Sequence, residues 1–180
     1  MLKELMDKVM PGDGVIAMLK EDHRKVEHLF EQFQGASSRK EKTQIAEQAL
    51  RELDVHTALE EELIYPAIRA RIDNDKIMNE ALEEHHVAHV LIEELRDLRP
   101  TDERYDAKFK VLAESVKHHV KEEESQVLPK AEDAEVDTPQ LQKKVLQRKQ
   151  TLLQGKSRGM RSRRKSSPRK AQRGRQRRAA

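Results

Sequence analysis

The 180-residue chain has no cysteine and no tryptophan. Without thiols there are no disulfide staples, no catalytic thiolate, no thiolate zinc site and no Cys-ligated iron–sulfur cluster. Aromatic residues make up 3% of the chain. The core must therefore be assembled mainly from Leu, Val, Ile, Ala and Met. No apolar run approaches the length needed to cross a bilayer, so no transmembrane segment is expected. The N-terminal residues lack the apolar stretch and small-residue cleavage site of a secretory signal. A cytoplasmic protein is the expectation. Acidic side chains stop at Asp137. Residues 1–140 carry 33 acidic and 20 basic side chains, a balance of −13, whereas residues 141–180 carry 16 basic and no acidic ones. An acidic body and a basic tail need separate accounts.

What is present is helical periodicity. Residues 1–14 predict a short helix and a Pro-Gly-Asp-Gly turn, followed by a helix to about Gln34 with Leu19, His23, Val26, Phe30 and Phe33 on one face. A second helix is expected from Arg39 to Pro66, with Ile45, Ala49, Leu53 or Glu52, His56, Glu60 and Leu63 inward. A third runs from Asn74 to Leu98, capped by Asp73, with Met78, Ala81, His85, His89 and Ile92 inward. A fourth starts after Thr101 or Asp102 and reaches Leu128, with Phe109, Leu112, Val116, His119 and Glu123 inward. These are amphipathic spacings. Strand signals are nearly absent. The fold class is all-α, an up-down-up-down four-helix bundle over residues 15–130 with a basic tail over 131–180.

One pattern occurs twice. His56-xxx-Glu60-Glu61 ends in Ile64-Tyr65-Pro66, and His119-xxx-Glu123-Glu124 ends in Val127-Leu128-Pro129. Each copy follows a helix that carries an acid before a histidine, Asp22-His23 and Glu84-His85. The halves read as a repeated helical hairpin. Residues four apart share a helix face, so His56 and Glu60 point together, as do His119 and Glu123. Both pairs lie in the apolar stripe, where an unpaired carboxylate is costly. No lysine or arginine occupies an inner position to neutralise them. A metal is the simplest partner. The inward set is His23, His56, His85, His89, His119, Glu60 and Glu123. Imidazole with carboxylate suits iron, zinc or manganese. Seven side chains exceed one octahedral ion with an open position, but suit two ions bridged by two carboxylates. His28, His86 and His118 should face outward. His118 competes with His119 as partner of Glu123, and the ten-residue distance to proline in both copies favours His119. A ferritin-like site would need ExxH on two helices, and only Glu83-xx-His86 is present. Glu61 and Glu124 are expected to point off the core axis.

Over residues 15–130 these signatures resemble the hemerythrin-like family of HHE cation-binding domains, in its bacterial form. The resemblance implies a non-haem di-iron centre with an oxo or hydroxo bridge. It implies His85, His89 and His119 on one iron, His23 and His56 on the other, and Glu60 and Glu123 bridging. Invertebrate members use Asp after a four-residue gap where this chain has Glu123 after three. The function implied is binding or sensing of dioxygen, peroxide or nitric oxide, or iron handling. A di-iron oxidoreductase acting on peroxide or nitric oxide is the alternative, although no separate acid or base is evident to drive turnover.

The tail opens on Thr138-Pro139, a cap followed by an N1 proline. A basic amphipathic helix is expected over about 139–154, stopped by Gly155. Residues 156–180 have the composition of a disordered segment. Their arginines and lysines could neutralise phosphates in a nonspecific nucleic-acid contact. No aromatic is present there to stack on bases.

Overall fold

The computed structural model describes residues 14–165, with Asp75 and residues 156–165 described by backbone alone. The expected helix over residues 1–13 and the tail beyond 165 lie outside the described residues. Helix α1 spans Gly14–Gly35 and α2 spans Arg39–Leu59. A π-helical turn, Glu60–Ile64, links α2 to the short α3, Tyr65–Arg69. Helix α4 spans Asp75–Asp97 and α5 spans Tyr105–Glu122. A second π turn, Glu123–Val127, links α5 to α6, Leu128–Asp133. Helix α7 spans Pro139–Lys165. No strand occurs among the described residues. The α1–α2 and α4–α5 hairpins form the expected four-helix bundle.

Local chemistry sets the boundaries. Gly14 sits at φ +89°, and a Cβ there would meet Asp137 Oδ2 at 2.0 Å. That carboxylate accepts the Val15 amide at 2.7 Å, so α1 is capped by a residue 122 positions further along the chain. Ser38 caps α2 by accepting from the Glu41 amide. Asn74, not Asp73, caps α4 by accepting from the Ile77 amide. The two prolines explain the π turns. In an α-helix the amide at position 66 would bond to Glu62, but Pro66 has no N–H. The Tyr65 amide instead reaches back five residues to the Glu60 carbonyl, and Leu128 does the same to Glu123. Such bulges occur frequently at functional sites. The extra residue also rotates the helix C-terminal to it. Ile64, Tyr65 and Ile68 are buried there, while Leu63 is only half-buried.

The core is two apolar clusters. One gathers Val15, Leu19, Leu59, Ile68, Met78 and Leu128 near one end. The other gathers Phe30, Phe33, Ala49, Ile92, Phe109 and Leu112 near the other. The five aromatic residues are all buried, with Phe33 stacked on Phe109 at 4.0 Å. Helix α7 belongs to the first cluster, because Leu141 and Val145 are buried in it. Arg148 grips Glu62 through two bonds of 2.6 and 2.7 Å, and Lys149 grips Asp22 at 2.7 and 2.9 Å. The helix runs through Gly155 to Lys165 rather than stopping at 155. One glycine costs a helix only about 1 kcal/mol, and the Lys and Arg around it are good helix formers.

Candidate metal centre

Between the two clusters lies a polar layer. His23 from α1, His56 from α2, His85 from α4 and His119 from α5 are buried there, with Glu60 and Glu123 from the first residues of the π turns. The imidazoles meet in pairs: His23 Nε2 lies 3.1 Å from His56 Nε2, and His85 Nε2 lies 3.1 Å from His119 Nε2. The carboxylates join the pairs. Glu60 Oε2 is 3.2 Å from His56 Nε2 and 3.4 Å from His85 Nε2. Glu123 Oε2 is 3.2 Å from His23 Nε2 and 3.9 Å from His119 Nε2. Ligand atoms thus group as His23, His56, Glu60 and Glu123 on one side, and Glu60, His85 and His119 on the other.

His89 stands apart from both groups. Its side chain is 40% exposed and its Nε2 donates to Glu61 Oε1 at 3.0 Å. His118 is on the surface and His119 is inside. His28 and His86 are exposed.

Behind the imidazoles stands a second ring of carboxylates. His23 Nδ1 donates to Glu124 at 2.8 Å, His85 Nδ1 to Glu61 at 2.9 Å and His119 Nδ1 to Glu84 at 2.8 Å. His56 Nδ1 faces Asp22 at 4.0 Å. Sequence reasoning left these four without a role, and turned Glu61 and Glu124 away from the site. The signal was in the repeat itself. The second Glu of each Glu-Glu pair, and the acid before each entering His, supply the ring. A carboxylate accepts only, so it fixes the proton on Nδ1 and aims the Nε2 lone pair inward. Replacing Glu124 by Ala should weaken iron affinity roughly 10–100-fold without unfolding the chain. A competition titration against a chelator measures it, and unchanged affinity would remove the ring from the site.

The electrostatics of the layer are those of a cation cradle. Burial, reinforced by the Glu123 charge, drives the Glu60 carboxyl well above its ordinary value. Burial would likewise raise Glu123, but hydrogen bonding and charge from His23 and His119 hold it low. Burial pushes His56 down to about 4. Burial opposes a charge on His23, yet Glu123 overrides it and holds His23 up at about 9. Both oxygens of Glu60 and Nδ1 of His56 are buried without a hydrogen-bond partner, while Glu123 Oε2 meets the His23 imidazole at 3.2 Å. Tyr65 stays protonated, its hydroxyl raised by burial and by Glu60 and Glu123. It donates to Glu123 Oε1 at 3.0 Å.

These residues fit a pair of ions. Two nitrogens about 2.1 Å from one ion and at right angles lie roughly 3.0 Å apart, close to the spacing within each imidazole pair. Glu60 Oε2 lies 3.2 and 3.4 Å from one imidazole of each pair, between the two groups. A cavity of ≈ 20 Å³ opens on the imidazoles, lined also by Val26, Leu53, Ala88, Val116 and Val120. Neither Glu60 nor Glu123 lines it.

The sequence profile described as the hemerythrin HHE cation binding domain matches residues 14–131. The chain belongs to the hemerythrin HHE cation-binding family. Its two buried His/Glu clusters are those of a hemerythrin-type di-iron site. Among solved structures, the chain is similar to a hemerythrin HHE cation-binding-domain protein from Mycobacterium kansasii. The TM-score is 0.70 at 22% identity, covering 83% of this chain and 93% of that one. The chain is also 27% identical over 108 residues to a DNA nickase of Nostoc sp. (strain PCC 7120). The match spans 60% of this chain and 30% of that protein, under a third of its length. Among the described residues, no helix is long and apolar enough to cross a membrane.

Proposed function

We propose that this hemerythrin-type domain binds a small oxidant, dioxygen, peroxide or nitric oxide, beside its di-iron centre. His23 and His56 would hold one iron and His85 and His119 the other, with Glu60 and Glu123 between the two groups. His89 stays linked through Glu61. When bound, the two irons supply electrons in pairs to the oxidant. The chain's own residues do the rest. Asp22, Glu61, Glu84 and Glu124 orient the imidazoles. The apolar side chains exclude bulk water, and the Tyr65 hydroxyl holds a proton at Glu123 Oε1.

The observation that carries this reading is the cavity of ≈ 20 Å³ against the imidazole face. A space of roughly 10–15 Å³ already admits one water, so this one suits a ligand with two heavy atoms or so. Val116→Leu should fill it. Nitric oxide should then bind the ferrous protein roughly ten-fold or more weakly, with iron content unchanged, because overpacking costs about 1–3 kcal/mol. Equal binding by the variant would place the ligand elsewhere.

A second reading rests on charge and on the nickase relative. Of the 16 basic side chains after residue 140, Arg148 and Lys149 are taken up by Glu62 and Asp22. The rest include the run beyond α7. Deleting residues 156–180 should abolish salt-sensitive retention on DNA and leave the iron in place. Retention by the shortened chain would sink nucleic-acid contact through this segment.

A further inference from the structure

Each of the four buried imidazoles has a carboxylate behind it, and three of those carboxylates are bonded to Nδ1: Glu124 at 2.8 Å, Glu61 at 2.9 Å and Glu84 at 2.8 Å. The fourth is not. Asp22 Oδ2 lies 4.0 Å from His56 Nδ1, beyond hydrogen-bond reach, and that nitrogen is buried with no partner. Leaving a buried ring nitrogen unpaired is costly, so something must hold the carboxylate off it.

Lys149 does so. Its Nζ donates to both oxygens of Asp22, at 2.9 and 2.7 Å, and Oδ2, the oxygen that faces His56, takes the shorter bond. Both side chains are mostly buried, Lys149 at 12% exposed and Asp22 at 16%. A charge-assisted bond of this kind is about twice as strong as a neutral one. The lysine is also fixed from its own helix. Val145, four residues earlier on α7, is buried in the first apolar cluster, and Leu152, three residues later, packs against the same cluster. Residues three and four apart share a helix face, so the Lys149 stem stands between two apolar anchors. A helix outside the four-helix bundle thus reaches the outer ring of the centre through one cation.

We propose that Lys149 is a positioning residue that draws Asp22 away from His56 and so loosens the hold of the centre on the ion nearest His56. The inference rests on the di-iron reading of the centre. An imidazole that gives its Nε2 lone pair to a metal carries its proton on Nδ1, and a carboxylate bonded to that proton makes it a better ligand. His56 is the one imidazole of the four denied that bond. Without Lys149, Asp22 becomes a mostly buried carboxylate that has lost its cation, a costly state. His56 Nδ1 is the donor that already faces it, and the carboxylate should close the gap. Docking of α7 therefore sets how tightly the centre keeps one of its two ions.

The test uses the full chain loaded with cobalt(II), about one ion for each buried group. A chelator that changes colour as it takes each ion counts the cobalt released against time. Lys149→Met keeps the stem and removes the charge. One of the two ions should then leave roughly ten-fold or more slowly than from wild type, the scale on which outer partners act, and the other at the wild-type rate. Adding Asp22→Ala to Lys149→Met should abolish the slowing. Arg148→Met breaks the neighbouring α7 bonds to Glu62 but leaves Asp22 alone, and should release both ions as wild type does. Release from Lys149→Met at the wild-type rate or faster, slowing of both ions, slowing that survives the loss of Asp22, or the same slowing in Arg148→Met would each overturn the proposal. A wild type that does not take up two cobalt ions would overturn the di-iron centre itself, and the role of Lys149 with it.

Discussion

Replacing His56 and His119 together by alanine should empty the centre. Wild-type protein loaded with ferrous iron and exposed to air should carry about two irons per chain, one for each buried group, with near-ultraviolet bands of a bridged ferric pair. The double variant should carry a trace and lose those bands. The reason is the pairing. His23 and His56 approach within 3.1 Å of each other, as do His85 and His119. Each alanine removes half of one imidazole pair. It also removes the nitrogen that Glu60 or Glu123 meets four residues earlier in the chain. What remains is one imidazole and shared carboxylates per ion, too few to outcompete water and buffer at neutral pH. The fold should survive, since the two apolar clusters do not depend on these side chains. Helical circular dichroism close to wild type is therefore the companion measurement. Iron retained near wild-type content in a folded double variant would sink the assignment of these histidines.

Much of this was legible from residue spacing. The four amphipathic helices followed from apolar periods, and the inward histidines and glutamates fell on those same periods. Three features were not. The π turns leave no mark on helical periodicity, and they change which residues bury. A straight helix carries Leu63 inward, whereas the real chain buries Ile64 and Tyr65. Pro66 and Pro129 were the available sign, since a helix that continues past a proline must place its missing donor somewhere. His89 shows the converse limit. Its spacing from His85 puts it on the same face, yet a face is an arc some 100° wide. At its edge the half-exposed imidazole meets Glu61. The outer ring was hidden because an acid next to a histidine in an acid-rich chain carries little information by itself. Only the neighbouring helix, which brings Glu61 to His85 and Glu124 to His23, gives those acids a partner. Helix α7 was legible as a helix but not as part of the core. Its burial depends on Asp22 and Glu62 lying where Lys149 and Arg148 can reach them.

Removing the metal should give stability a fall with rising pH that the loaded protein lacks. In chelated protein burial opposes a charge on His23, but Glu123 outweighs it and holds His23 up at about 9, against an ordinary value of 6.5. A raised folded value means the folded state binds a proton the unfolded chain releases. That contribution is complete below pH 6.5 and is lost as pH rises through about 9. Glu60, raised by burial and by Glu123, acts in the same direction from its ordinary value of 4.5 upward. The His23 shift alone amounts to about 3 kcal/mol of stability lost across that window. His56, depressed to about 4 by burial, contributes only on the acid side, where stability falls as pH drops below 6.5. Metal-free protein should therefore weaken steadily from pH 6.5 to 9. With metal that fall is cancelled. An ion takes the place of the His23 and Glu60 protons, so its affinity climbs as pH rises. Binding to the folded state alone adds stability in proportion to the logarithm of that affinity. Urea denaturation at pH 6.5, 7.5 and 8.5, with chelator and with saturating zinc as a redox-silent stand-in, separates the two curves. A falling curve with chelator and a nearly level one with zinc are expected. Parallel slopes would mean that the protons on His23 and Glu60 do not occupy the place of the ions. The layer between the two apolar clusters would then be a polar core held together by hydrogen bonds, with His23 and Glu123 as its buried ion pair.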